Sequence, residues 1–211
     1  MDLCRSLSTL PIILSMGLCV QVCAQTVERP EFKEGDTWTY HIKEGPTCCD
    51  VAWYYTETHM ILRSLRRAYE LSVARTAERS GEQTTRTYRI SRDTNLWARS
   101  SSDVPAQEAR AWQWPLEPGK TWRYDVPTPS GTQTWEARVD AWEETDVPAG
   151  KFRTLLLSYE LISNPDPVVG RLRKVWYSPD AKVMVKFREY GTYNGRQVVN
   201  NTRELQSYQL H

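Results

Sequence analysis

Gly35-Asp36-Thr37-Trp38-Thr39-Tyr40 and Gly119-Lys120-Thr121-Trp122-Arg123-Tyr124 are one pattern written twice. Their flanks agree, since Phe32 and Ile42 around the first correspond to Leu116 and Val126 around the second. A second echo follows at nearly the same offset. Ser91-Arg92-Asp93 precedes Leu96, and Ser178-Pro179-Asp180 precedes Val183. Two landmarks repeated in the same order predict one β unit used twice. The units span approximately 32–98 and 116–210, joined by a linker over approximately 99–115.

Period-two alternation carries the secondary structure. Trp38, Tyr40 and Ile42 share one face of a strand, as do Trp122, Tyr124 and Val126. Trp135, Ala137 and Val139 alternate with Glu136, Arg138 and Asp140, and Leu155, Leu157, Tyr159 and Leu161 with their neighbours. Tyr69, Leu71 and Val73, then Tyr88 and Ile90, then Val183, Val185 and Phe187 do the same. Turn chemistry bounds the runs, at Ser80-Gly81, Pro129-Ser130-Gly131 and Asn164-Pro165-Asp166-Pro167. Met60 to Leu71 reads as strand, turn at Arg66-Arg67, and strand. One short helix is expected around Pro105 to Ala111, capped by Asp103. The fold class is all-β: an internally duplicated antiparallel meander of about 10 to 12 strands, forming a curved sheet or half-barrel. A two-sheet sandwich is the alternative.

Residues 1–24 read as a signal peptide. Arg5 precedes the apolar run Leu10 to Val20, and Val22-Cys23-Ala24 places cleavage after Ala24. The run is shorter than the ~20 residues of a membrane-spanning helix, so no membrane span is expected. The remaining 25–211 is one β domain, periplasmic or secreted. A net charge of +1 gives no electrostatic footprint for nucleic acid. Nine Trp and 11 Tyr against 3 Phe give a chain rich in aromatics with a polar handle, which suit half-wet surfaces.

The chain largely lacks the residues of common catalytic motifs. The 3 histidines are His41, His59 and His211, and there is no nucleophile elbow, phosphate-cradling glycine loop or His-Glu-x-x-His. Glu143, Glu144 and Asp146 read as a solvated hairpin end, although acids from distant strands can pair for glycosidic chemistry. Cys48-Cys49 is the unusual spot. Adjacent Cα atoms lie about 3.8 Å apart, under the ~4.4 Å minimum usual for a disulfide, so a bridge between them is strained. Zn²⁺ or Cu⁺ held with His41 and His59 is a further reading, but the spacing matches no zinc motif, and two inert thiols in a loop is the third. No metal and no cofactor are assigned. Arg63, Arg66, Arg67, Arg86, Arg89 and Arg92 are diluted by Glu70, Glu78 and Glu82, as on solvated strand faces.

Three segments carry a family resemblance. Asp146-Val147-Pro148-Ala149-Gly150-Lys151-Phe152, Trp176-Tyr177-Ser178-Pro179-Asp180 and Val183-Met184-Val185-Lys186 follow each other in order. The string resembles that of a family of bacterial exported β-proteins of unknown function, as does Gly-x-Thr-Trp-x-Tyr. It covers Leu116 to Arg188 well. The resemblance implies a fold related to the curved half-barrels of periplasmic lipoprotein carriers, and no activity. Read physically, both turn motifs are hairpin punctuation: Pro148 and Pro179 fix φ, and Gly150 relieves the tight turn.

The functional expectation is therefore non-enzymatic. An apolar or amphipathic ligand, or an envelope component, binds on a curved aromatic face formed by Trp38, Trp122, Trp135, Tyr159 and Trp176. A structural or assembly partner of the cell envelope is the alternative, and a glycan-processing enzyme the weaker one.

Overall fold

The computed structural model describes residues 25–45, 52–94, 110–128, 130–163, 171–193 and 196–211. The leader, Cys48 and Cys49, most of the linker with the expected helix, and the Asn164 to Pro167 turn lie outside the described residues.

Among the described residues, ten strands form one antiparallel sheet. The first unit supplies β1 (Thr37–Glu44), β2 (Trp53–Ser64), β3 (Ala68–Ala77) and β4 (Gln83–Ser91). The second supplies β5 (Thr121–Thr128), β6 (Gly131–Val147), β7 (Gly150–Ser163) and β8 (Leu172–Ser178). β9 (Val183–Tyr193) and β10 (Arg196–Gln209) follow. The order across the sheet is β4-β3-β2-β1-β10-β9-β8-β7-β6-β5. The sandwich alternative is not realised, because a single ladder runs from β4 to β5. No helix occurs among the described residues.

The sheet is bent. Trp38 on β1 donates its indole N–H to the Ala181 carbonyl, 2.8 Å away in the turn between β8 and β9. In a flat sheet that reach would cover two to three strand spacings, roughly 10–14 Å. Tyr40 likewise donates its hydroxyl to Met184 O on β9 at 3.1 Å. Curvature brings both outermost strands to one cavity, lined by Tyr88 from β4 and Val126 from β5.

The two Gly-x-Thr-Trp-x-Tyr segments share local geometry. Gly35 and Gly119 both have φ of +89°, in the left-handed region that favours glycine. Gly35 N donates to Ile61 O and Ile61 N to Asp36 O, at 2.9 Å each. Gly119 N donates to Val139 O at 2.8 Å and Val139 N to Lys120 O at 2.9 Å. The strands they open have different neighbours: β1 lies between β2 and β10, whereas β5 is an edge.

Apolar burial falls into two clusters. One gathers Trp122, Tyr124, Trp135, Leu155, Leu157 and Tyr159 of the second unit, closed by Val27 and Leu116. Val27 and Leu116 exchange two backbone hydrogen bonds of 2.8 Å. The other joins Trp38, Tyr40, Ile42, Ile61 and Tyr69 of the first unit to Val185, Leu205, Phe152 and Trp176. The Val147-to-Phe152 turn tips the long β6–β7 hairpin onto β10. Ala149 N there donates to Leu205 O at 3.0 Å, next to the bulge where Gln206 interrupts the β1–β10 register.

Candidate functional site

Strand alternation sends Tyr55, Glu57, His59 and Ile61 of β2 to the face that carries Trp38 and Tyr40 of β1, because register partners share a face. A cavity of about 540 Å³ opens against this face. Phe32, Trp38, Ile61, Leu71, Val73 and Ile90 form its apolar wall. Tyr177, Met184 and Trp112 close the opposite side.

A charged group is set into that apolar surround. Glu57, 7 % exposed, sits 2.7 Å from His59 Nε2 and accepts from Arg203 Nη1 at 3.4 Å. Arg75 lies 4.0 Å from the same carboxylate and 2.7 Å from Glu44, with its guanidinium 3.6 Å above the Tyr55 ring. Burial by itself would raise the Glu57 carboxyl. The His59 hydrogen bond and the charges of Arg203, His59 and Arg75 together outweigh it and hold the group below its ordinary value. Tyr40 is fully enclosed, and burial pushes its phenol well above the usual range.

The five aromatic residues expected on the binding face are distributed unequally. Trp38 lines the cavity. Trp122, Trp135 and Tyr159 come together in the second unit's cluster, where the Trp122 and Tyr124 rings each meet Tyr159 edge-on at 6.3 Å. Arg173 lies 4.2 Å over Trp135. Burial raises Tyr124 to about 12, with the Arg173 charge opposing, and raises Tyr159 well above its ordinary value, with Tyr124 adding to it and Arg173 opposing. Trp176 packs elsewhere. It lies in the cluster with Phe152, donates its indole N–H to Glu143, and carries Lys186 and Arg188 over its ring.

Trp112 links the two regions. Its ring stacks on Trp114 at 5.5 Å, meets Tyr159 and Tyr177 edge-on, and borders the cavity. Sequence reading did not single out Trp112, Glu57, Arg75 or Arg203, and weighed His59 only with His41 beside the cysteine pair. One signal was available: Glu57 and His59 break an otherwise apolar face of β2 between Tyr55 and Ile61. Among the described residues no group of three or more His, Cys, Asp or Glu is placed to hold a metal ion. No helix there is long and apolar enough to cross a membrane, which says nothing of strands.

Two solved structures resemble this chain. One is a protein from Bacteroides fragilis, inferred to be exported and described as having a YmcC-like fold. It is 16% identical, with a TM-score of 0.48, over 89% of this chain and 100% of that one. The other is a protein from Parabacteroides distasonis, inferred to be a lipoprotein, at 13% identity and a TM-score of 0.49, over 87% of this chain and 99% of that one. No family model matches the chain, and no curated protein does.

Proposed function

We propose that the concave face takes up an apolar or amphipathic molecule without transforming it, and that the protein works in the periplasm or outside the cell. The observation that carries this reading is the cavity itself. Its volume of about 540 Å³ falls among small-molecule sites, which run from about 300 to 1,000 Å³. Its wall is mainly apolar, with a few convergent polar groups at Glu57, His59, Arg75 and Arg203. Glu57 is the one carboxylate among the described lining residues, whereas glycosidic chemistry needs two. Export is supported by the leader, with Arg5, its apolar run and Val22-Cys23-Ala24.

The sheet edges favour a small ligand over a protein that adds a strand. β4 carries Arg86 and Arg89 among threonines, and β5 carries Pro127, which lacks an N–H. Charges and proline are the usual means of blunting an edge. Titration with 1-dodecanol tests the reading through tryptophan emission, since Trp38 and Trp112 border the cavity. A saturable shift in emission is expected. An unchanged spectrum, with self-association appearing in sedimentation, would favour the assembly role instead.

A further inference from the structure

Four buried polar groups without a hydrogen-bond partner stand in one line across the sheet. They are Trp122 Nε1, Tyr159 Oη, Arg173 Nε and Asn201 Oδ1. Trp122 is opposite Ala137, Ala137 opposite Tyr159, and Tyr159 opposite Arg173. Arg173 is opposite Glu189, and Glu189 opposite Asn201. Register partners share a face, so this row crosses the concave side from β5 to β10. Native interiors leave few such groups unpaired, because each one costs stability.

The chemistry of the row is donor-rich. The indole N–H and the Arg173 Nε–H can only donate, and the Tyr159 hydroxyl can donate as well. Charge points the same way. Arg171 and Arg173 share the single carboxylate of Glu189, at 3.8 and 3.4 Å, which leaves a surplus cation. The row also adjoins the cavity. Trp112 borders that cavity with one side and meets the Tyr159 ring at 6.5 Å with the other. Tyr159 and Trp122 are 3 % and 7 % exposed, so a group entering beside Trp112 would be held away from water.

We propose that the Trp122–Tyr159–Arg173 stretch of this row is the headgroup subsite of the groove, and that it receives the oxyanion of an amphiphile, a carboxylate or a phosphate monoester. The apolar chain of that molecule lies in the cavity. This inference rests on the groove reading above and adds the charge and position of the head.

Calorimetric titration with four probes of equal chain length tests it: 1-dodecanol, dodecanoate, dodecyl phosphate and dodecyltrimethylammonium, each below its micelle threshold. One or both oxyanions should bind roughly tenfold or more tightly than the alcohol, since hydrogen bonds to charged groups are the stronger kind. Whichever oxyanion is favoured identifies the head. Arg173→Gln and Tyr159→Phe should each remove most of that preference, by weakening oxyanion binding far more than dodecanol binding. Tyr159→Phe deletes only an unpartnered hydroxyl, so it should fold and melt no lower than the wild type. Equal affinity for alcohol and oxyanions, or preference for the cation, would overturn the headgroup subsite while the groove reading stands. An oxyanion preference that survives both substitutions would likewise overturn it. Failure of all four probes to bind would overturn both readings.

Discussion

Asp36 and Lys120 hold the same place in the two copies of Gly-x-Thr-Trp-x-Tyr and tie down different parts of the chain. Asp36 is fully buried, and its carboxylate accepts from Lys33 N at 2.9 Å and His211 N at 2.8 Å, with Lys182 at 3.7 Å. Lys120 donates its ammonium to the carbonyls of Gln113 and Pro115, at 2.6 and 2.7 Å. Opposite charges at one position thus serve two tasks. The first copy gathers His211 and the β8–β9 turn. The second holds the strap that carries Trp112 and Trp114.

Unequal costs follow for their removal. Asp36→Ala leaves two backbone N–H groups unpaired in a buried site, and should cost about 2–4 kcal/mol. Lys120→Ala acts on a more exposed strap, and should cost about 1 kcal/mol or less. Urea midpoints at constant slope measure both. An equal or reversed order would contradict the assignment.

The paired glycines give a second comparison. Both have φ of +89°, so an alanine at either is strained. A Cβ at Gly119 meets nothing within 4 Å, whereas at Gly35 it lies 3.2 Å from the His211 ring. Gly119→Ala should cost about 1–2 kcal/mol from backbone strain alone. Gly35→Ala should cost more, because the ring must also shift. Thermal melts of the two variants, compared with the wild type, decide between this ordering and a purely local effect.

Glu57 makes stability depend on pH. Its folded-state carboxyl is held below the ordinary 4.5, so its contribution is present above that value and is lost as pH falls through the lowered one. Glu57→Gln should therefore destabilise the protein at pH 7, by about 1–3 kcal/mol, with Arg203 and Arg75 only partly exposed and left facing a neutral amide. The difference between variant and wild type should shrink toward pH 3. A gap that is constant with pH would show that shape, rather than charge, holds this group.

The hairpin tip is the fourth test. Phe152, 7 % exposed, packs with Trp176 in the cluster that also holds Leu205, and Ala149 bonds Leu205 directly. Phe152→Ala should cost about 3–5 kcal/mol, as for other buried aromatic truncations. A loss under 1 kcal/mol would mean that the tip is not docked in solution.

Legibility in the sequence followed the range of the interactions. Strand alternation and turn chemistry are local, so the meander, the break at Arg66-Arg67 and the hairpin at Pro148-Ala149-Gly150 could be read directly. The motif Val147 to Phe152 was read as punctuation. Its second task, docking on Leu205 of β10, depends on a contact between residues far apart in the chain. The candidate site was harder for the same reason. Glu57 and Arg75 come from neighbouring strands, but Arg203 arrives from β10 only because β10 pairs with β1. Trp176 illustrates a different difficulty. Period two says which residues share a face without saying what covers that face, and here the β6–β7 tip does.

The central claim is that the cavity beside Trp38 holds an apolar chain, and calorimetry with 1-dodecanol over a series of temperatures tests it most directly. Val73 lines the cavity and is only partly buried at the margin of the first unit's cluster, so Val73→Phe fills space there. The wild type should bind one chain with a negative heat-capacity change, the mark of apolar burial. Val73→Phe should melt normally and lose roughly tenfold or more in affinity, about 1.4 kcal/mol. No binding heat at any temperature, or identical binding by the filled variant, would contradict the account.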